Sequence, residues 1–206
     1  MVVRVLKQAQ KADCFERIIC ATDDVRIAQV VEKNGVECVL TSECPTGSDR
    51  VAQVQDLLHL DLVVNLQGDE PLMSPELLQQ VATKLLQDPE SWITASSPLF
   101  ESSIQDPNFV KVQVKNEIAA DFRRDLQDQS LESWYVHRGI YAYSRNVLQE
   151  FLQAKRTPLE VERSIEPLRI LGQRPIHVVY SETTSHAVDL PTDISIVEEL
   201  LARNPQ

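Results

Sequence analysis

The sequence predicts one α/β domain, a three-layer sandwich built around a mixed, mainly parallel sheet. Three observations carry this. Apolar runs at 15–21, 36–40 and 62–66 alternate with segments that open on helix caps. Strand signals then crowd together after Trp92. Finally, 206 residues with 43% hydrophobic and 25% charged composition are enough for one good core.

Along the chain, residues 15–21 end in an apolar run, and Thr22-Asp23-Asp24 can cap a helix that reaches Asn34 and stops at Gly35. The short run 36–40 is a second strand, and 41–49 is a loop by its Pro, Gly and Ser content. A helix over about 50–58 follows. Residues 62–66 (LVVNL) read as a strand buried on both faces that runs straight into Gln67-Gly68-Asp69-Glu70-Pro71. Ser74-Pro75-Glu76 places an N-cap, a proline at the first helical position and an acid in the first turn, so a helix to Leu86 is expected. Such alternation favours right-handed βαβ units, whose ligand loops lie beyond the carboxyl ends of the strands.

The second half reads as strands at 92–98, 109–114, 118–122 and 136–143 with less helix between them, which adds antiparallel pairs. Thr157-Pro158-Leu159-Glu160 is a capping box and predicts a helix ended by Gly172. A strand at 176–180 and a last helix over about 193–203 close the chain.

A formal charge of −11 repels nucleic acid and acidic membrane surfaces. A phosphorylated ligand therefore needs locally placed cations or a metal ion. No run approaches the roughly 18 apolar residues of a membrane span, and the first residues lack a signal-peptide pattern. Neither membrane insertion nor nucleic-acid binding is expected, and a cytoplasmic location is. Cys14, Cys20, Cys38 and Cys44 form no Cys-x-x-Cys pair and are expected to be reduced structural thiols.

Two acids stand out. Asp69 follows a buried strand, between Gly68, which lets a ligand approach the backbone, and Pro71, which stiffens the turn. Asp189, in His186-Ala187-Val188-Asp189-Leu190-Pro191-Thr192-Asp193, again lies between a strand and a helix start. Magnesium takes one or two carboxylates plus phosphate oxygens and water, so this pair suits a nucleoside triphosphate. Turn capping by Asp69, Asp189 or Asp193 explains the same residues more plainly. Sequence spacing does not decide between the two.

The blocks FERIICATDD at 15–24, LTSECPTGSDRV at 40–51, VVNLQGDEP at 63–71, HRGIYAY at 137–143, TPLEVERSIEPLRIL at 157–171 and AVDLPTD at 187–193 occur in this order. Together they resemble the 3-deoxy-manno-octulosonate cytidylyltransferase family over nearly the whole chain. The resemblance implies the Rossmann-like fold of nucleotide-diphospho-sugar transferases, a homodimer, and CMP transfer from CTP to a sugar acid for lipopolysaccharide synthesis. It also implies a magnesium ion on Asp69 and Asp189. The nucleotide is then expected near Thr46, Gly47, Ser48, Asp49, Arg50 and Gln67, and the sugar acid near His137, Tyr141 and Glu166. Taken singly, Arg50 reads equally well as a solvated first-turn residue and Tyr141 as a core aromatic.

The chain departs from the family pattern in three places. A strand and a loop of the type Pro-Ala-Arg-x-x-Ser-x-Arg-x-x-x-Lys, whose cations hold the triphosphate, are not found in residues 1–206. The stretch 121–130 is short and lacks a Ser-Arg-x-x-Ile-Pro signature, and Pro167 follows Glu166 where Gln is expected. Each lost charge-assisted hydrogen bond costs about 1.5–3 kcal/mol. Residues 1–206 alone are therefore expected to be N-terminally truncated relative to the family, open at one sheet edge, and to release little or no pyrophosphate. A chain extended by that loop is expected to be active. The rivals are a non-catalytic module of the same fold and a cytidylyltransferase for a related acid, such as an 8-amino-octulosonate or a sialic acid.

Overall fold

Helix α1 (Val2–Ala12) turns a stripe of Val5, Leu6, Gln8 and Ala12 inward. In this computed structural model, which describes residues 1–126, 130–183 and 185–203, three strand–helix units follow. They are β1 (Ile19–Thr22) with α2 (Val25–Lys33), β2 (Glu37–Leu40) with α3 (Gly47–Leu58), and β3 (Leu62–Leu66) with α4 (Pro75–Gln87). The caps anticipated from the sequence are made. Asp24 accepts from the Arg26 amide at 2.8 Å, Thr46 from the Asp49 amide at 3.2 Å, and Ser74 from the Leu77 amide at 3.1 Å. Ser74→Ala removes an acceptor from a buried helix start and is expected to cost about 1 kcal/mol, a fall of about 2–4 °C in thermal midpoint. An unchanged melting curve would contradict this.

The second half contains β4 (Trp92–Ser97), α5 (Glu101–Gln105), β5 (Lys111–Lys115), β6 (Ile118–Arg123), β7 (Trp134–Ser144), α6 (Arg145–Gln153), α7 (Pro158–Arg163), β8 (Ile176–Tyr180) and α8 (Pro191–Arg203). Helices α5 and α6 are additions to the sequence reading. Ser144 caps α6 by accepting from the Val147 amide at 3.4 Å, and Val147, Leu148 and Phe151 form its buried face. The helix expected to run from Thr157 to Gly172 is a correction: it stops at Arg163. Ser164 takes a left-handed conformation (φ 53°) and Ile165 is extended, after which only a 3₁₀ turn, Glu166–Arg169, forms. Pro167, with no amide hydrogen, cannot continue an α-helical ladder.

The main sheet has the order β3-β7-β4-β8-β6-β5, and β1 and β2 pair in parallel as a separate ribbon. The sheet is mixed, as expected. Strands β3, β4, β5 and β8 share one direction and β6 and β7 oppose them. Most strands therefore run one way, as expected, while β7 inserts between β3 and β4 and makes their ladders antiparallel. Among the described residues, β4–β8 is the parallel ladder within this sheet. Helices α1 and α4 pack on one face over Met73, Leu78, Val81, Ile93 and Ile140. Helices α3 and α6 lie on the other, over Trp92, Phe122, Tyr143, Leu148 and Phe151. Three layers result.

Strand β1 pairs with β2 through one edge and β3 with β7 through one edge. The other sides of both line a shared, largely apolar cavity of about 710 Å³ that includes Ile19, Ala21, Val54, Val63, Leu78 and Leu85. The four cysteines are free, and burial together with Cys38 pushes the Cys20 thiol up to about 11, which keeps that thiol protonated and weakly reactive. No helix among the described residues is long and apolar enough to cross a membrane.

Candidate functional site

The turn after β3, the middle of β7 and the segment before α8 meet at a cavity of about 350 Å³. The turn is set by the Glu70 amide reaching the Gln67 carbonyl (3.3 Å) and by the Gln67 amide reaching Gly139 on β7 (3.0 Å). The Val188 amide donates to the Asp69 carbonyl at 2.8 Å, which ties the segment before α8 to the same turn. Asp69 and Asp189, about 120 residues apart in sequence, thus line one cavity. Asp193, not Asp189, performs the capping role, accepting from the Asp189 and Leu190 amides at 3.0 and 2.7 Å.

A buried ion pair lies beneath these loops. Glu70 (3% exposed) and Arg138 (2% exposed) meet at 2.6 Å. The other Glu70 oxygen accepts from the Gly139 amide at 2.9 Å. Arg138 also donates to the Ser185 carbonyl at 2.9 Å, while the Ser185 hydroxyl donates to Glu70 at 3.1 Å. The pair therefore binds the 67–70 turn to the 185–189 segment. A Cβ on Gly139 would stand 3.0 Å from the Glu70 carboxylate, so a larger residue here would press on the buried pair.

Burial, then the charges of Glu70 and Asp189, push the Asp69 carboxyl up to about 6, and burial with Asp193 raises Asp189. Surplus negative charge of this kind is what a cation relieves. Two carboxylates beside open space fit a magnesium ion that completes its shell with phosphate and water. Among the described residues no cluster of three or more His, Cys, Asp or Glu forms an all-protein cage. Below 3.8 the carboxyl of Asp69 is neutral in both folded and unfolded chains. The cost of holding it ionised grows as pH rises toward about 6, and a cation must displace its proton below that value. Mn²⁺ affinity is therefore expected to be about fourfold weaker at pH 5.5 than at pH 7.5 from this proton alone. Equal affinities by calorimetry would contradict the assignment.

Gly47, Gln67, His137, Tyr141 and Glu166 line the same cavity. A Cβ on Gly47 would sit 3.6 Å from the Asn65 amide and 3.7 Å from that of Gln67, in ordinary contact. Tyr141 is 4% exposed and packs edge-on to Trp92 at 5.5 Å, and burial raises its hydroxyl. Glu166 accepts from the Ser48 amide at 3.1 Å through one oxygen. Its other oxygen is buried with no partner among the described residues, and burial raises its carboxyl. Ser48 and Arg50 do not line this cavity. The Ser48 hydroxyl accepts from Tyr143 at 3.3 Å. Arg50 lies along the larger cavity beside β1 and β3, paired with Asp23 at 2.9 Å and Thr41 at 2.5 Å. Asp49 faces Arg169 at 3.2 Å; Arg169 also pairs with Glu160 at 2.7 Å and lies 3.8 Å over the Phe151 ring.

Sequence reasoning missed Arg124 and Arg156, which also line the cavity. Arg124 donates to the carbonyls of Arg163 and Pro107 at 3.0 and 2.9 Å and forms no ion pair among the described residues. A cation held only by carbonyls stays available to an anionic ligand. The available signal was the doublet Arg123-Arg124 at the end of a strand. Arg124 falls in the stretch flagged as short, of which residues 127–129 lie outside the described residues.

Fold and cavity define an α/β sandwich of the nucleotide-diphospho-sugar transferase class, with its acidic site beyond the carboxyl end of β3. The sequence profile of the cytidylyltransferase family matches residues 1–183. The 3-deoxy-manno-octulosonate cytidylyltransferase of Polynucleobacter necessarius subsp. necessarius (strain STIR1) is 37% identical, covering 99% of this chain and 86% of that protein. The protein of that name from Myxococcus xanthus (strain DK1622) is 39% identical over 98% of this chain and 85% of its own. The solved structure of CMP:2-keto-3-deoxy-manno-octonic acid synthetase complexed with CTP superposes with a TM-score of 0.88 at 28% identity, covering 98% of this chain and 87% of that one. The chain belongs to the cytidylyltransferase family.

Proposed function

We propose that this protein transfers CMP from CTP to 3-deoxy-manno-octulosonate with release of pyrophosphate, supplying an activated sugar acid for lipopolysaccharide synthesis. The observation that carries the proposal is the cavity shared by Asp69, Asp189, Gln67, His137 and Glu166, in a fold superposable on a CTP-bound synthetase. In the reaction the oxygen of the anomeric hydroxyl attacks the α-phosphorus and forms the new phosphodiester bond, the bond from that phosphorus to the bridging oxygen breaks, pyrophosphate leaves, and the hydroxyl proton is released to solvent or to the departing pyrophosphate. Asp69 and Asp189 would hold a magnesium ion, which when bound neutralises phosphate charge.

The chain's own groups position the reactants. Arg124 supplies a cation for the sugar carboxylate, Arg156 borders it while paired with Glu160 at 3.0 Å, and His137 and Glu166 face its hydroxyls. Gly47 and Gln67 border the nucleotide, and Tyr141 seals the floor against water. Positioning of two anions, rather than a covalent intermediate, is the catalytic contribution. The free edges of β1 and β3 support a place for one further extended strand, whose loop would emerge at Gly47 and Gln67 with cations for the triphosphate. The homodimer implied by the family is read by light scattering. The function is tested by ³¹P NMR of CTP, the acid and Mg²⁺ with residues 1–206 and with a chain extended upstream by the phosphate loop. Conversion to a CMP ester and pyrophosphate by the extended chain is expected. A folded extended chain that binds the acid without consuming CTP would favour a non-catalytic module.

A further inference from the structure

Thr94 on β4 is fully buried and sits opposite Tyr141, where the β4–β7 register shifts between Thr94 and Ala95. Such a bulge turns neighbouring side chains off the regular alternation. Here it places the Thr94 hydroxyl against two groups of β7. The hydroxyl lies 2.8 Å from the Ile140 carbonyl, which can only accept, and 2.9 Å from His137 Nε2. A hydroxyl carries one hydrogen. Once that hydrogen is given to Ile140, the oxygen can only accept from the imidazole, so the imidazole proton must reside on Nε2.

The ring has little freedom to escape this. It packs edge-on to Phe122 at 5.4 Å and stacks on Tyr141 at 5.5 Å. Of the charges that act on it, Glu70 favours the cation and Arg138 and Arg124 oppose it; burial outweighs them and pushes the ring down to about 3. The imidazole is neutral at physiological pH, with a bare lone pair on Nδ1. Nδ1 has no hydrogen-bond partner among the described residues and is not among the sealed atoms, and His137 lines the cavity that holds Asp69 and Asp189.

We infer that Thr94 is a positioning residue that fixes the Nε2–H tautomer of His137, so that Nδ1 serves the ligand as a hydrogen-bond acceptor for a hydroxyl and not for a carboxylate or phosphate. An acceptor at this point selects a hydroxyl of the ligand, since an anionic oxygen there would leave lone pairs facing each other. This assignment rests on the sugar-acid reading for its ligand but not for its tautomer.

The test is ¹⁵N NMR of the imidazole in the parent chain, Thr94→Val and Thr94→Ser, followed by titration with 3-deoxy-manno-octulosonate and, separately, CTP. In the ligand-free parent, Nε2 is expected to resonate as a protonated nitrogen and Nδ1 as an unprotonated one. Thr94→Val is expected to mix the tautomers and weaken the acid about tenfold, the loss of about one hydrogen bond, with CTP affinity unchanged. Thr94→Ser, which keeps the hydroxyl, is expected to restore both. A protonated Nδ1 in the parent overturns the inference whatever the ligand, and so does a parent-like tautomer in a folded Thr94→Val chain. If the acid binds and moves other resonances but leaves Nδ1 unmoved, the hydroxyl contact is overturned while the sugar-acid reading stands. If the expected tautomer is found and no acid binds, the sugar-acid reading fails instead.

Discussion

Asp69→Ala is expected to lower pyrophosphate release from CTP about a thousandfold, measured in the chain extended by the phosphate loop and at saturating magnesium. Asp69 stands in the turn between Gln67 and Glu70, half-buried, with its backbone carbonyl fastened to Val188. Its carboxyl is raised to about 6, so the site spends electrostatic energy to keep an anion there. Removing a principal ligand forfeits several kcal/mol of charge stabilisation, and about 4 kcal/mol corresponds to a thousandfold in rate. Asp69→Asn keeps the shape and loses the charge, so it is expected to fall nearly as far. A loss below about tenfold in both variants, with the fold intact by circular dichroism, would show that Asp69 serves only the turn.

Arg138→Met is expected to destabilise the chain by about 3–5 kcal/mol, a drop of about 10 °C in thermal midpoint. The methionine fills similar volume, but Glu70 is left charged at a site with 3% exposure, its oxygens facing only Gly139 and Ser185. Replacing both, as Glu70→Met with Arg138→Met, removes the stranded charge and is expected to recover most of the stability. It is not expected to recover cation binding, because the 67–70 turn and the 185–189 segment lose the pair that binds them together. A double variant that regains both stability and Mn²⁺ affinity would reduce the pair to a packing element.

The parts of this structure that were legible in the sequence are those written locally. Ser74-Pro75-Glu76 encodes the start of α4 in adjacent residues, and the apolar run of β3 ending at Gln67 marks where a ligand loop begins. The pairing of β7 between β3 and β4 was not legible, because no local pattern says which distant edge a strand joins. Ser164 hid the end of α7 for a related reason. Its left-handed backbone is held by the packing of Ile165 and Leu168 in the core, which outweighs the helical signal of Thr157-Pro158-Leu159-Glu160.

At the site, the two aspartates could be singled out by their place after strands, yet their meeting depends on long-range bonds, the Val188 amide to the Asp69 carbonyl and the Glu70–Arg138–Ser185 network, that no local pattern announces. Arg138 and Arg124 were passed over because a charged residue in or after an alternating strand reads as solvent-facing. Burial turns the first into an ion-pair partner and carbonyl contacts turn the second into a cavity cation. Arg50 shows the converse: it belongs to a family-like block, but Asp23 and Thr41 hold it along the larger cavity.

The most direct measurement is Mn²⁺ binding, in the presence of CTP, by the parent chain, Asp69→Ala, Asp189→Ala and the double variant, read by electron paramagnetic resonance. If both carboxylates serve one ion, each single variant loses most of the affinity and the double variant is little worse than the weaker single. Independent, additive losses, or an Asp189→Ala chain that binds as the parent does, would contradict a shared metal site.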